Sequence, residues 1–372
     1  MTGASFVHDI IAAEGPIGVD RYMALCLGHP VHGYYITRDP FGRGGDFVTA
    51  PEISQMFGEL LGLWAAALWI AMGRPQRVLL VELGPGRGTL MADALRAARQ
   101  VPDFRAAITL HLVETSPVLR DIQRRTLAGS GHAPVWHDRL ATVPDGPLVV
   151  IANEFFDALP IRQHVATQTG WHERLVGLDP RGRLAFGLSP YPVRVTADRP
   201  ATPGAVLETC EAGQEIAATL AQRVVRDAGA ALVIDYGYRG PASSDTLQAL
   251  RNGSPADPLG APGEQDLTAH VDFSALVDVA AREGAASAGP VDQGGFLESL
   301  GIRERATRLA ANASAGAAAE IGRARDRLVG RGPDGMGALF KAMAICHPAL
   351  RDALPGFPAP DGRDTRQTRP AC

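Results

Sequence analysis

Lysine is almost missing from this chain: Lys341 is the single one in 372 residues, against 35 arginines. A Schiff-base or phosphate-loop lysine would have to be that residue, and it stands in an apolar segment, FKAMAI, with no glycine-rich loop before it. Cysteine is scarce too. The four thiols, Cys26, Cys210, Cys346 and Cys372, stand singly, which excludes a disulfide framework or zinc site and points to a reducing compartment. Basic charge is not in excess, since the net charge is −4, so there is no electrostatic case for nucleic acid or an anionic membrane. The first twenty positions carry Asp9, Glu14 and Asp20 and no Lys or Arg, unlike a targeting segment, and the expected location is the cytoplasm. The longest apolar run, LLGLWAAALWIAMG at 60–73, falls short of the ~20 residues that span a bilayer and reads as a buried helix, so no membrane insertion is expected. The His29 and His32 pair has no third ligand in its pattern, and no metal is expected.

What is present is globular: 46% apolar and 20% charged residues, in a chain longer than the roughly 100–200 residues of one typical domain. Positions 5–28 show helical spacing. Thr49, Pro51 and Glu52 form a capping-box pattern before ISQMFGELLGLWAAALWIAM. From 77 onward short apolar runs alternate with helical patterns, the signature of parallel strands buried on both faces. The runs are RVLLVEL (77–83), AITLHLVE (107–114), APVWH (133–137), PLVVIAN (147–153) and ALVIDYG (231–237). The pattern divides into a helical extension with a cofactor-covering loop (1–75), a Rossmann-like core (76–160) and a β-rich insertion with a helix (161–230). The remainder of the core with a long loop at 239–265 (231–350) and a disordered tail (351–372) follow. A helix near 273–283 and strands near 286–290 and 338–345 are expected in that remainder.

The loop after the first strand, VELGPGRGTL, spaces its glycines G-x-G-x-G, with Gly84, Pro85, Gly86 and Gly88. In an open parallel sheet this turn lets backbone approach a nucleoside cofactor. Glu82 decides between cofactors, because a carboxylate two residues before the first glycine repels a pyrophosphate and attracts a cation. S-adenosylmethionine, with its ammonium and sulfonium, is such a cation. Glu114, ending the second strand, can accept hydrogen bonds from a ribose diol, and Asp138, after the third, can take the adenine amino group. The competing reading makes Glu82 a solvated strand end and the glycines a tight turn only. The segment GRGGDF is a candidate loop over the cofactor, with Asp46 and Thr49 beside it, or simply a turn before a capped helix.

The blocks GDFVTAPEISQMFGELLGLW, VELGPGRGTL, NEFFDALPIRQ, IDYGY and DLTAHVDF resemble the MidA-like S-adenosylmethionine-dependent methyltransferases, over about residues 5–345. The resemblance implies a class I methyltransferase fold, a Rossmann-like α/β sheet of seven strands with the helical extension and β-rich insertion. For its mitochondrial members it implies assembly of respiratory complex I through dimethylation of an arginine in a subunit. On that strand order NEFFD lies over the sulfonium. Asn153, Glu154 and Asp157 are then candidates to orient a guanidinium, with Phe155 and Phe156 as walls against water. His270 is a candidate base, Asp272 reads as the N-cap of FSALVDVAARE, and Asp235 and Tyr236 close the fifth strand where substrate contacts are expected. A small-molecule acceptor, or a cofactor-binding assembly chaperone without turnover, are the alternatives.

Overall fold

Seven short apolar segments form one sheet in the computed structural model, which describes residues 3–40, 49–195, 202–240 and 245–358. They are β1 (Val78–Leu83), β2 (Ile108–Val113), β3 (Val135–His137), β4 (Leu148–Asn153), β5 (Gly229–Tyr238), β6 (Ala286–Asp292) and β7 (Phe340–Cys346). Their order across the sheet is β6-β7-β5-β4-β1-β2-β3, and Val271–Asp272 adds a short eighth strand against β5. The pairs β1–β2, β2–β3, β1–β4 and β4–β5 are parallel, while β7 runs antiparallel between β5 and β6. Every residue of β1 and β4 is buried, as parallel strands covered by helices on both faces require. The strand order reverses between β1 and β4, which is where such sheets bind ligands.

On one face the Gln55–Ala71 and Thr89–Ala98 helices pack on β1 and β4 together with the Ile302–Ala310 helix. On the other face lie the Glu211–Asp227 and Phe273–Arg282 helices. The Gln55–Ala71 helix, grouped above with the extension, is thus core. Asp272 caps its helix as expected, with Oδ1 accepting from the N–H groups of Ser274 and Ala275.

The helical stretch at 5–28 is two helices, Gly3–Glu14 and Val19–Gly28. Gly15 (φ +89°) and Pro16 break it, and Ile17–Gly18 pairs with Leu175 and Val176 of the insertion. The insertion itself is antiparallel: Arg162–Thr167, Gly170–Leu178, Leu184–Leu188 and Val206–Thr209. The expected capping box at Thr49 is corrected. Ala50–Ile53 is a separate short helix without a side-chain cap, and Ser54, in extended conformation, caps the long helix by accepting from Met56 N–H at 3.2 Å.

Two further expectations change. The loop at 239–265 contains a hairpin, Gln248–Arg251 with Ser254–Ala256, turning at Asn252 (φ +53°) and Gly253 (φ +70°). Positive φ at both positions is what a two-residue hairpin turn demands, and Asn-Gly supplies it. The tail expected to be disordered from 351 is held through 358: Trp64 Nε1 donates to Pro355 O at 3.1 Å and Phe357 packs on Phe296. Residues 359–372 lie outside the described residues.

Glycines let the two core helices touch. A Cβ on Gly62 would stand 2.5 Å from Ala94 O and 2.6 Å from Ala94 Cα. Glycine to alanine inside a helix ordinarily stabilises by about 1 kcal/mol. At this contact the clash reverses the sign, and Gly62→Ala is expected to destabilise by about 1–3 kcal/mol. A thermal midpoint equal to or above that of the unmodified protein would show that the helices separate freely.

Candidate functional site

β1 delivers Glu82 and Leu83 to the carboxyl edge of the sheet, and the chain then turns through Gly84 (φ +61°), Gly86 (φ +51°) and Gly88 (φ +81°). These are left-handed conformations that side chains resist. At Gly84 a Cβ would also lie 2.9 Å from the Phe155 ring, so the glycine admits the loop after β4 to the same place. Gly88 is one step back, as the N-cap of the Thr89–Ala98 helix.

Glu82 is not a solvated strand end. It is 2% exposed, its Oε2 has no hydrogen-bond partner among the described residues, and burial, helped by the charge of Glu114, pushes its carboxyl up to about 8. A small cavity opens beside it, bounded by Thr49, Glu82, Gly84, Pro85, Asn153 and Glu154. Thr49 therefore reaches the site, while Asp46 lies outside the described residues.

Glu114 follows β2 and is also buried. Its Oε1 accepts from Ser116 N–H at 2.8 Å and its Oε2 from Gln123 Nε2 at 3.1 Å. Burial raises its pKa, and these donors oppose the rise. Gln123, which the sequence did not single out, also donates to Gly86 O at 2.8 Å and accepts from Trp136 Nε1 at 2.8 Å, locking the glycine turn to β3. A second cavity of about 650 Å³ runs from Gly84 past Glu114 to Asp138, with Met23, Tyr35 and Ile36 of the N-terminal segment among its walls. Asp138 stands at its rim, its side chain 75% exposed and ion-paired to Arg120 at 2.7 Å.

The two cavities share Glu154, whose backbone adopts φ +49°. Its Oε1 accepts from Ala50 N–H and from Asn153 Nδ2, both at 3.0 Å, and the buried Asn153 Oδ1 has no partner among the described residues. Burial pushes the Glu154 carboxyl up to about 7, against the Ala50 hydrogen bond. The unusual turn is held from β5. Fully buried Asp235 accepts with one oxygen from Phe155, Phe156 and Asp157 N–H at 3.2, 2.9 and 3.2 Å. Its other oxygen accepts from Tyr236 N–H at 2.9 Å.

Asp157 and His270 do not face the cavities. Asp157 is 6% exposed and hydrogen-bonded by the Tyr236 hydroxyl, with burial pushing its carboxyl up to about 6. His270 lies edge-on to the Tyr236 ring at 5.4 Å, and burial lowers its pKa. Neither Asp157 nor His270 is among the residues that line the two cavities. Phe155 lines the large cavity and Phe156 is core.

Among the described residues, no Lys or Arg forms an ion pair with Glu82, Glu154, Asp157 or Asp235. A glycine turn at the switch point, a buried carboxylate without a partner before it, and an acidic residue ending the next strand suit a nucleoside that carries positive charge. With the observed strand order they define a class I S-adenosylmethionine-dependent methyltransferase.

A family described as S-adenosyl-L-methionine-dependent methyltransferases matches residues 60–291, and the chain belongs to it. It is 38% identical over 364 residues to the protein arginine methyltransferase NDUFAF7, mitochondrial, of Danio rerio, covering 91% of this chain and 85% of that protein. Identity to the Mus musculus protein of the same name is 42% over 321 residues, covering 79% and 73%. A crystal structure of a Burkholderia thailandensis protein bound to S-adenosyl-homocysteine superposes with a TM-score of 0.80 at 30% identity, covering 95% of this chain and 94% of that one. The expectation of a cytoplasmic protein is overturned, because the curated relatives are mitochondrial.

Cofactor binding is expected to release protons. With a pKa of about 8 Glu82 is protonated at pH 7, and a bound cation favours its ionised form. Affinity for S-adenosylmethionine should therefore rise from pH 6 to 8, and calorimetry at pH 7 in buffers of different ionisation enthalpy should show about one proton released. Affinity independent of pH, with no proton release, would mean that Glu82 is already ionised in the empty site.

Proposed function

We propose that this methyltransferase acts on an arginine side chain of a protein, and that the protein is a subunit of respiratory complex I. The observation that carries the reading is Glu154, held where the two cavities meet with no ion-pair partner among the described residues, next to an Asn153 Oδ1 that none of those residues bonds. A guanidinium keeps its charge near neutrality, and its planar fork of donors is matched by carboxylate and amide oxygens in fixed positions. The relatives named protein arginine methyltransferases support the same acceptor.

S-adenosylmethionine supplies an electrophilic methyl group on a sulfonium. The chain's part is placement. Glu82, Gly84, Pro85 and Gly86, with Thr49, form the end of the site suited to the positively charged amino-acid portion. Glu114 and Asp138 lie along the larger cavity where a ribose and adenine would be held. Glu154 and Asn153 orient the acceptor nitrogen, and Glu154, poised near neutrality, can take the proton the nitrogen gives up. Asp157, Asp235 and His270 keep that loop in place.

Glu154→Gln keeps the shape and removes the charge. It is expected to leave affinity for S-adenosylmethionine within about threefold and to lower methyl transfer by about 10–100-fold, the loss of one charge-assisted hydrogen-bond pair. Mass spectrometry of complex I subunits from cells lacking this gene should show one arginine that has lost its methylation. An unchanged methylation pattern there would overturn the complex I reading.

A further inference from the structure

The rim of the sheet beyond the acceptor site carries charge of the opposite sign. Ladder register places Asn153 opposite Ile234 and, one residue further along, Asp235 opposite Lys341 and Lys341 opposite Asp292, so the rung just past Asn153 leads from the β4 turn across β5 and β7 to β6. At its far end Lys341 Nζ lies 3.2 Å from Asp292 Oδ1, Arg239 lies 3.6 Å from the same oxygen, and Arg331 lies 3.7 Å from Oδ2. Three cations thus surround one carboxylate in a molecule whose net charge is −4. The Arg239 and Arg331 side chains are 49% and 68% exposed. Leu339, 49% exposed, sits among them, its carbonyl accepting from Gly237 N–H at 3.4 Å. The sole lysine of the chain is therefore part of a basic patch around an apolar side chain, on the edge at which an acceptor must arrive.

We propose that this patch docks the acceptor protein by binding an acidic side chain near the methylated arginine. The inference rests on the arginine reading above, because it takes Glu154 as one end of the ruler. From β4 to β6 there are three strand steps of about 4.8 Å, or about 14 Å, and an extended peptide advances about 3.3 Å per residue. The acidic residue falls about four positions from the arginine, with an apolar residue adjacent to it for Leu339. Ion pairs on such a rim govern encounter and register more than chemistry, so the patch acts on KM and on salt dependence.

The test uses the full-length protein with S-adenosylmethionine and labelled peptides of about fifteen residues, each with a central arginine and one glutamate moved position by position along it. Binding is read by fluorescence anisotropy and methyl transfer from radiolabelled cofactor. A glutamate three to five residues from the arginine should raise affinity and kcat/KM about fivefold, an exposed-pair effect. The advantage should vanish in 0.5 M salt and in the double variant Arg239→Glu with Arg331→Glu, which should instead favour a lysine peptide while binding S-adenosylmethionine unchanged. Peptides that bind and react regardless of glutamate position, or a double variant with the same preference, would overturn the docking surface and leave the arginine reading intact. Glutamate-dependent binding that the double variant abolishes, without methylation of any peptide, would support the surface and overturn the arginine reading.

Discussion

Carboxyl groups held out of water at one edge of the sheet are the constraint on which the rest of the molecule depends. Glu82 near the end of β1, Glu154 just after β4 and Asp235 within β5 all lie toward the carboxyl edge of the sheet, and among the described residues none is neutralised by an ion pair. Burying an unpaired carboxylate is costly, so such groups either protonate or await a cation. Asp235 is stabilised by four backbone N–H groups and serves structure. Glu82 and Glu154 have fewer donors, and their unused oxygens face cavities. The division of labour follows from hydrogen-bond supply: the satisfied carboxylate builds the turn, and the unsatisfied ones are left for ligands.

Backbone geometry and electrostatics meet at the switch point. Gly84 and Glu154 both adopt positive φ, one on each side of the reversal in strand order, and Phe155 occupies the space that a Cβ on Gly84 would need. Glycine pays little for that conformation and glutamate pays more, so Glu154 persists there because Asp235 and the bond from its own N–H to Ile234 O over-determine the turn. A non-glycine residue in this conformation at the mouth of two cavities marks a site where strain has been accepted in return for aiming a functional group.

Much of this was legible in the sequence because it is local. Apolar runs of strand length and the glycines with Glu82 before them are patterns within a few residues of one another, and Glu114 is found by its place at the end of the next such run. What escaped depends on partners far along the chain. The role of Asp235 is set by N–H groups 78–80 residues earlier, and Gln123 acts through a turn 37 residues away. Asp157 and His270 look functional by residue type, yet neither lines either cavity, and both have Tyr236 as a neighbour: its hydroxyl bonds Asp157 and its ring meets His270 edge-on. Other misses did carry a signal. Gly15-Pro16 announces a helix break and Asn252-Gly253 a hairpin, whereas Trp64 and Phe296 hold residues 355–357 by tertiary contacts that composition does not reveal.

The wall of the large cavity is a separate assembly from its floor. Phe6, Tyr22, Met23 and Tyr34 of the N-terminal segment form one apolar cluster with Ile161 and Val176 of the insertion and Leu267 near the hairpin. Polar bonds tie the same pieces: Tyr22 to Pro258 O at 2.7 Å, Tyr35 to Asp266 at 2.8 Å, and Arg162 to Asp20 at 2.8 Å. None of these residues belongs to the seven-stranded sheet. Contacts concentrated within each cluster let side chains change in one with little effect on the other, since distant sites act nearly independently. Substitutions in this outer layer can therefore reshape the cavity wall with little effect on the glycine turn, Glu82 and Glu114. The two layers meet at Glu154, which with Gly84 and Gly86 lines both cavities and whose carboxylate accepts from Ala50 N–H at the start of the Ala50–Ile53 helix.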